Sequence, residues 1–121
     1  MTNRDMEYCL VTTACDSKEN ADKIINVLFD KKLVSCVQTS NINSTYVWKG
    51  KLENTDEILL TIKTRKELYN EIEACIKERH SYEVCEIVMI PIIDGSKEFL
   101  NWIDEVTKYE ESKMTLDKLK I

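Results

Sequence analysis

Four residues in one short stretch of this chain carry side chains that bind metal ions: His80, Glu83, Cys85 and Glu86. Imidazole, carboxylate and thiolate groups together suit copper or zinc. One histidine with scattered acids is far less specific than the ligand spacing of a structural zinc motif. The alternative is structural: His80 ends a helix and is satisfied by backbone carbonyls and the helix dipole.

The spacing of these residues limits what one subunit can do. Along an extended strand Glu83 and Cys85 share one face, and Glu86 lies on the other. We therefore expect His80 and one carboxylate to form the ligand set, completed by water or by a neighbouring chain. His80 is the only histidine, so any imidazole chemistry must use it.

Three aromatic residues offer a second kind of site. Tyr46, Trp48 and Trp102 could line a ligand cleft, but such residues more often belong to a core or a subunit interface. We predict that all three lie at an oligomer interface.

The sequence has no recognisable catalytic signature. Gly50 and Gly95 are the only glycines, and they are too far apart to form a phosphate-cradling loop. A cysteine–histidine pair is conceivable, but no local motif supports it. We predict a binding protein without an organic cofactor, not an enzyme.

Composition indicates one globular domain that binds neither nucleic acid nor membrane. The chain has 121 residues and a net charge of −5, whereas nucleic-acid binding needs clustered Lys and Arg. It contains no apolar run of the ~20 residues that a membrane helix requires. The polar start, Met1 to Glu7, lacks an apolar signal core and predicts a cytoplasmic protein.

The cysteines predict reduced thiols, not a disulfide framework. There are five, an odd number, and none forms a Cys-x-x-Cys motif. We expect most of them to be small buried groups. They are Cys9, Cys15, Cys36, Cys75 and Cys85.

Two helices and a hairpin are expected to position the candidate residues. A capping box with Asp16 as N-cap and Glu19 precedes the first helical stripe. A second box, Thr64 to Glu67, begins a helix that should end near Arg79 or His80. The strands between these helices are predicted from Leu33 to Thr39, with a bulge or kink over 40–44, and from Leu52 to Lys63. Gly50 supplies the turn between the hairpin strands.

The remaining elements complete a βαββαβ order that begins with a strand from Tyr8 to Thr13. Val84 to Ile93 should form a strand that is apolar on both faces, and Pro91 places it at a sheet edge. A third helix follows, with Phe99, Leu100, Trp102, Ile103 and Val106 predicted to face inward.

This order predicts an α+β fold, a ferredoxin-like βαββαβ sandwich with an extra C-terminal helix. Residues 1–107 form the single domain and residues 108–121 a charged extension. The two long strands of the hairpin should extend beyond so small a domain. The apolar edge strand should be buried against another surface. Both features indicate a partner subunit.

The ordered set of motifs resembles the CutA divalent-cation tolerance family over about residues 8–106. The motifs are Leu33-Val34-Ser35-Cys36-Val37, Tyr46-x-Trp48-x-Gly50-x-Leu52, Glu57, Lys63-Thr64, His80-x-Tyr82-Glu83, Glu86-Ile87, Gly95 and Leu100-x-Trp102-Ile103. The resemblance implies a homotrimer, similar in fold to the PII signalling proteins, that binds copper or another divalent ion. Some members are linked to protein anchoring, so the alternative is a structural or signalling trimer for a protein partner.

The chain departs from the family pattern in two places. Cys85 stands where the family usually has proline, which places a thiol beside the implied site and frees a backbone N–H. Residues 108–121 extend past the usual family end, and the resemblance implies nothing about them.

Overall fold

The fold comes from a computed structural model that describes residues 7–109. The elements follow the order βαββαβα, and a short 3-10 turn, Lys66–Leu68, precedes the second helix. The elements are β1 (Tyr8–Cys15), α1 (Lys18–Asp30), β2 (Cys36–Trp48), β3 (Lys51–Arg65), α2 (Tyr69–Arg79), β4 (Val88–Pro91) and α3 (Lys97–Val106).

The four strands form one antiparallel sheet in the order β2-β3-β1-β4. Helices α1 and α2 cover one face, where Ile24 and Ile72 pack against Val11, Leu60 and Ile62 in the main core. This arrangement confirms the predicted ferredoxin-like α+β sandwich with an added C-terminal helix.

Strands β2 and β3 pair without interruption from Cys36 opposite Lys63 to Trp48 opposite Lys51. The predicted bulge over residues 40–44 is therefore wrong. A ladder is held by backbone groups, so a polar stretch that is exposed on both faces can remain in it. The amides of Asn43 and Asn54 also bond each other across the strands, at 2.8 and 3.2 Å.

A two-residue turn closes this hairpin. Lys49 and Gly50 both have positive φ, 51° and 78°, the backbone that a tight primed hairpin turn requires. This confirms the turn predicted at Gly50. On β3, only residues 58–65 pair with β1. Residues 51–57 pair with β2 alone and so extend beyond β1 by roughly 23 Å.

Both helix starts differ from the predicted capping boxes. Ser17, not Asp16, caps α1, and its Oγ accepts from the N–H of Asn20 at 3.1 Å. Thr64 lies within β3, where its hydroxyl donates to the carbonyl of Leu33 at 2.6 Å. The strand therefore continues through Thr64 to Arg65, because the Thr64 hydroxyl is satisfied by a distant backbone group, and the 3-10 turn begins only at Lys66. The end of α2 at Arg79, with His80 as C-cap, confirms the prediction.

Strand β4 lies at the sheet edge, as Pro91 predicted, but it is much shorter than Val84 to Ile93. It spans only Val88–Pro91. Residues 84–87 are irregular, and side-chain hydrogen bonds tie this segment to other elements. The carboxylate of Glu86, for example, accepts a hydrogen bond from the hydroxyl of Thr12 at 2.8 Å.

Helix α3 lies on the opposite side of the sheet from α1 and α2. Leu100 and Ile103 are buried against Tyr8, whose hydroxyl donates to Asp104 Oδ2 at 2.6 Å. The predicted inward positions of Phe99, Trp102 and Val106 are wrong, because these residues are 39%, 38% and 39% exposed. Because α3 packs on Tyr8 as a single short helix, only one stripe of its residues, Leu100 and Ile103, is buried.

The segment after α3 returns to the domain. The buried Arg65 donates to Thr107 Oγ1 at 2.9 Å, and the Lys108 ammonium binds Glu71 at 3.0 Å. Most of the predicted charged extension, residues 110–121, lies outside the described residues. Within residues 7–109 no helix has the length and apolar character needed to cross a bilayer.

Candidate functional site

A cavity of about 520 Å³ lies between the base of the hairpin and the segment that follows α2. By strand alternation it is on the sheet face away from α1 and α2. The hairpin and β1 form one wall, and residues 81–86 form the other. The cavity is lined by Ala14, Ser44, Tyr46, Val47, Trp48, Glu57, Ser81, Tyr82, Glu83, Val84 and Glu86.

The lining is aromatic and acidic. Its charged residues are three carboxylates, Glu57, Glu83 and Glu86, and no lysine or arginine is among the residues that line it. Cations are attracted both by carboxylates and by the faces of aromatic rings. The cavity therefore favours a positively charged ligand over an anion.

Glu57 and Tyr82 connect the two walls. Glu57 is only 8% exposed, and its Oε2 accepts a 2.6 Å hydrogen bond from the hydroxyl of Tyr82. Burial and this carboxylate raise the pKa of Tyr82 well above its usual value, so the phenol remains a donor. Glu57 forms no ion pair within residues 7–109. A buried carboxylate without a cation is costly, which makes Glu57 a natural centre for a bound cation.

His80 directs both ring nitrogens into the protein. Nδ1 accepts the N–H of Tyr82 at 3.1 Å. Nε2 is buried and has no partner of normal hydrogen-bond geometry among the described residues, although the carbonyl of Ala14 lies close enough to favour a protonated ring. Burial lowers the pKa of His80; the Ala14 carbonyl and the carboxylates of Asp16 and Glu57 oppose that shift. The neutral ring is thus favoured.

The start of α1 fixes the segment after α2. Asn20 Nδ2 donates to the carbonyl of Arg79 at 2.8 Å, and Asn20 Oδ1 accepts from the N–H of Ser81 at 3.3 Å. The Ser81 hydroxyl also donates to Asp16 Oδ1 at 2.9 Å. These bonds set the position of His80 and Tyr82 relative to β1.

The structure brings only two of the four predicted metal ligands into the cavity. Glu83 and Glu86 both line it, contrary to the opposite faces expected of a strand, because this segment is irregular. His80 is engaged in the interior, and Cys85 is half-buried beside Cys15. Within residues 7–109 no group of three such side chains is arranged to hold one ion.

The three predicted interface aromatics occupy two places. Tyr46 and Trp48 line the cavity and are 37% and 36% exposed. Trp102 lies on α3 beside Phe99, with ring centroids 5.6 Å apart. These exposed rings remain candidates for contact with another subunit.

Sequence reasoning missed the roles of Glu57 and Asn20. Glu57 was predicted to lie in a strand, and no local pattern indicated that its carboxylate would bind Tyr82, 25 residues further along the chain. Asn20 did carry a signal: it adjoins the apolar stripe of α1, where a polar residue is buried only when it has partners. The sequence could not identify those partners.

Comparisons with known proteins place this geometry among similar molecules. The chain matches the family model for the CutA1 divalent ion tolerance protein over residues 9–106. It is 42% identical over 92 residues to the divalent-cation tolerance protein CutA of Archaeoglobus fulgidus, covering 76% of this chain and 90% of that protein. It is 38% identical over 93 residues to the CutA homolog of Xenopus laevis, covering 76% of this chain and 62% of that protein.

Solved structures agree with these sequence matches. The structure of the A. fulgidus protein, described as a periplasmic divalent cation tolerance protein, superposes with a TM-score of 0.81 at 39% identity. The alignment covers 84% of this chain and 99% of that one.

Proposed function

Since the chain belongs to the CutA1 divalent ion tolerance protein family, we propose that it acts in divalent-cation tolerance as a homotrimer that binds copper or another divalent ion. The observation that carries this proposal is the acidic cavity. It gathers Glu57, Glu83 and Glu86 without a lysine or arginine in its lining. An entering cation would neutralise charge that the subunit leaves uncompensated.

The donor atoms fit a weak, open site better than a closed one. Carboxylate oxygens of Glu83 and Glu86 suit divalent ions, with water filling the remaining positions. The His80 ring can contribute only if its hydrogen bond from Tyr82 opens. Cys85 does not line the cavity, and its thiolate is a ligand for a softer ion. Ligands from a neighbouring chain would complete the set.

The trimer proposal rests on surface that one subunit leaves bare. The hairpin overhangs the sheet, and Val47 and Leu52 near its tip are 71% and 76% exposed. Val84 and Ile93, before and after β4, are 70% and 76% exposed. Val47 is opposite Leu52 in the hairpin and lines the cavity together with Val84. An exposed apolar patch of this kind marks a protein interface, and a second copy of the chain is the simplest cover.

We also propose a cytoplasmic binding protein, not an enzyme. The support for the cytoplasm is chemical: all five cysteines are free, and thiols persist where the surroundings are reducing. Residues 1–107 would form the binding domain, and the charged extension over 108–121 would lie outside it.

The experiment is calorimetric titration of tag-free protein with copper(II). We expect His80→Ala and Glu83→Gln each to weaken binding by at least about 10-fold without dissociating the trimer, the scale seen when a support of a metal site is lost. Glu98→Gln, which removes an exposed carboxylate on α3, is the matched control. Binding should also fail on acidification, because protons compete for the imidazole and carboxylate ligands.

Unchanged copper affinity in both site variants would reject this site. We would then favour the alternative function, in which the trimer anchors or regulates a protein partner. Affinity capture with Trp102→Ala as the comparison would test that alternative.

A further inference from the structure

The three carboxylates of the acidic cavity do not converge on one point. Glu57, Glu83 and Glu86 all line it, yet within residues 7–109 no three histidine, cysteine or carboxylate side chains are grouped so that they could hold one ion. The negative charge is instead spread over the walls of a space of about 520 Å³. Such a distribution matches a ligand that carries several cationic groups some distance apart.

The carboxylates also differ in depth. Glu57 is 8% exposed, whereas Glu83 and Glu86 both belong to the exposed residues of their segment. Glu57 therefore lies at the inner end of the cavity, and the other two lie nearer to the solvent. A ligand that pairs with Glu57 and with either outer carboxylate has to be elongated.

Glu57 is not fully satisfied by the protein. Its Oε2 accepts a hydrogen bond from the hydroxyl of Tyr82 at 2.6 Å, which is a neutral donor. Neither a cation nor a second donor is found on this carboxylate among residues 7–109. A buried charge is stable when it is paired and hydrogen-bonded, and an ammonium group supplies both a positive charge and several donors.

Apolar and aromatic side chains lie beside these acids. Val47 and Val84 line the same cavity, as do the rings of Tyr46 and Trp48. Apolar side chains remove the methylene groups of an aliphatic ligand from water, and ring faces attract ammonium groups. The Trp48 ring already has one such neighbour, because Lys49 Nζ lies 5.6 Å from its centroid. The lining therefore offers contacts that only an organic cation can use.

We propose that the cavity binds a linear polyamine, an aliphatic chain with an ammonium group at each end. One terminal ammonium donates to Glu57, the methylene groups lie against Val47 and Val84, and the other end pairs with Glu83 or Glu86. The volume falls within the range of about 300–1,000 Å³ that is usual for small-molecule sites. This ligand uses the cavity of the proposed function but requires no metal ion, so the inference goes beyond divalent-ion binding.

The test is calorimetric titration of full-length, tag-free protein with spermidine, which also carries a charged nitrogen within its chain. Metal is first stripped with a chelator, and the chelator is then removed by dialysis. We expect the wild type to bind spermidine, to bind the diamine of equal length more weakly, and not to bind the neutral diol of that length. Added salt should weaken the binding. Equal affinity for the diol would overturn the proposal, because charge would then play no part.

Variants test the buried carboxylate. Glu57→Gln removes its charge but keeps an oxygen that can accept from Tyr82. Spermidine binding should weaken by at least about 10-fold, the scale of a lost charge-assisted hydrogen bond. Glu83→Gln changes an exposed position and should weaken binding by a smaller factor, which keeps the proposal testable if Glu57→Gln does not fold. Glu98→Gln changes the net charge equally but lies on α3, outside the lining, and should bind like the wild type.

Fluorescence locates the bound ligand. The chain has two tryptophans, so Trp102→Phe leaves Trp48 as the only one, and its emission should change as spermidine binds. The proposal is overturned if the wild type does not bind, if Glu57→Gln and Glu83→Gln both bind like the wild type, or if the Trp48 emission does not respond. These titrations contain no metal and the copper titration contains no amine, so the two proposals can fail separately.

Discussion

The hydroxyl of Tyr82 donates a 2.6 Å hydrogen bond to Oε2 of Glu57 and so joins the segment after α2 to the base of the hairpin. Both residues line the acidic cavity. It satisfies a buried carboxylate that has no ion pair among the described residues. The integrity of the cavity should therefore depend on it.

Tyr82→Phe should lower the free energy of unfolding by about 1–3 kcal/mol, because the buried carboxylate of Glu57 loses its partner. Denaturant unfolding at fixed protein concentration measures the change. The raised pKa of Tyr82 adds a pH signature: stability should fall above about pH 10, where the unfolded phenol ionises and the folded one does not.

A double-mutant cycle tests this assignment. Once Glu57→Gln has removed the charge, the further change Tyr82→Phe should cost clearly less than it does in the wild type. Equal costs in the two backgrounds would show that the bond contributes little.

His80 should make the metal-free protein less stable in mild acid. Its pKa is lowered by burial, so below the reference value of ~6.5 the unfolded state binds a proton that the folded state does not. The stabilisation is present above that pH and is lost as the pH falls toward the folded pKa. Thermal unfolding between pH 7.5 and 5, with a chelator present, measures the effect.

His80→Asn is the matched variant, because its amide oxygen can still accept the N–H of Tyr82 that now binds Nδ1. We expect a flatter stability profile than that of the wild type over this range. Parallel profiles would mean that another group titrates.

Trp48→Ala should weaken subunit association by about 2 kcal/mol or more if Trp48 anchors the interface. Sedimentation equilibrium measures this directly against a trimer of 14.2 kDa chains. Phe29→Ala removes an aromatic ring that is 44% exposed on α1, on the helix-covered side of the sheet, and should leave assembly unchanged. A stable wild-type monomer at micromolar concentration would contradict the trimer itself.

Thiol labelling of the reduced protein should proceed in two groups. Cys36 and Cys85 are half-buried and should alkylate first; Cys9, Cys15 and Cys75 are buried and should react only on unfolding. Burial raises the pKa of Cys9 and of Cys15 to about 11, which adds to their protection because the thiolate is the reactive form. Time-resolved mass spectrometry gives the order. Rapid labelling of Cys75 in the folded protein would contradict this order.

The sequence alone determined the order of the elements and the ferredoxin-like topology. Helical stripes, apolar strands and the glycine turn are local patterns, and the crossover rules leave few ways to connect them. The edge position of β4 also followed from one residue, because Pro91 lacks an N–H to donate.

Local signals failed where a distant group satisfied the backbone or the side chain. Thr64 had the pattern of an N-cap, yet its hydroxyl reaches the carbonyl of Leu33. The strand expected from Val84 begins only at Val88, because the preceding residues bond to β1 and line a cavity. In both cases the competing partner is distant in the sequence, so the spacing of nearby residues cannot predict the contact.

The candidate site divides in the same way. The sequence gathered His80, Glu83, Cys85 and Glu86 into one segment, but only the folded chain decided that Glu83 and Glu86 share a cavity while His80 turns into the interior. Only the folded chain brought the hydroxyl of Tyr82 against Glu57 and the carboxylate of Glu86 against Thr12. These contacts join residues that are far apart in the sequence, so they arise from the tertiary fold and not from the local order of residues.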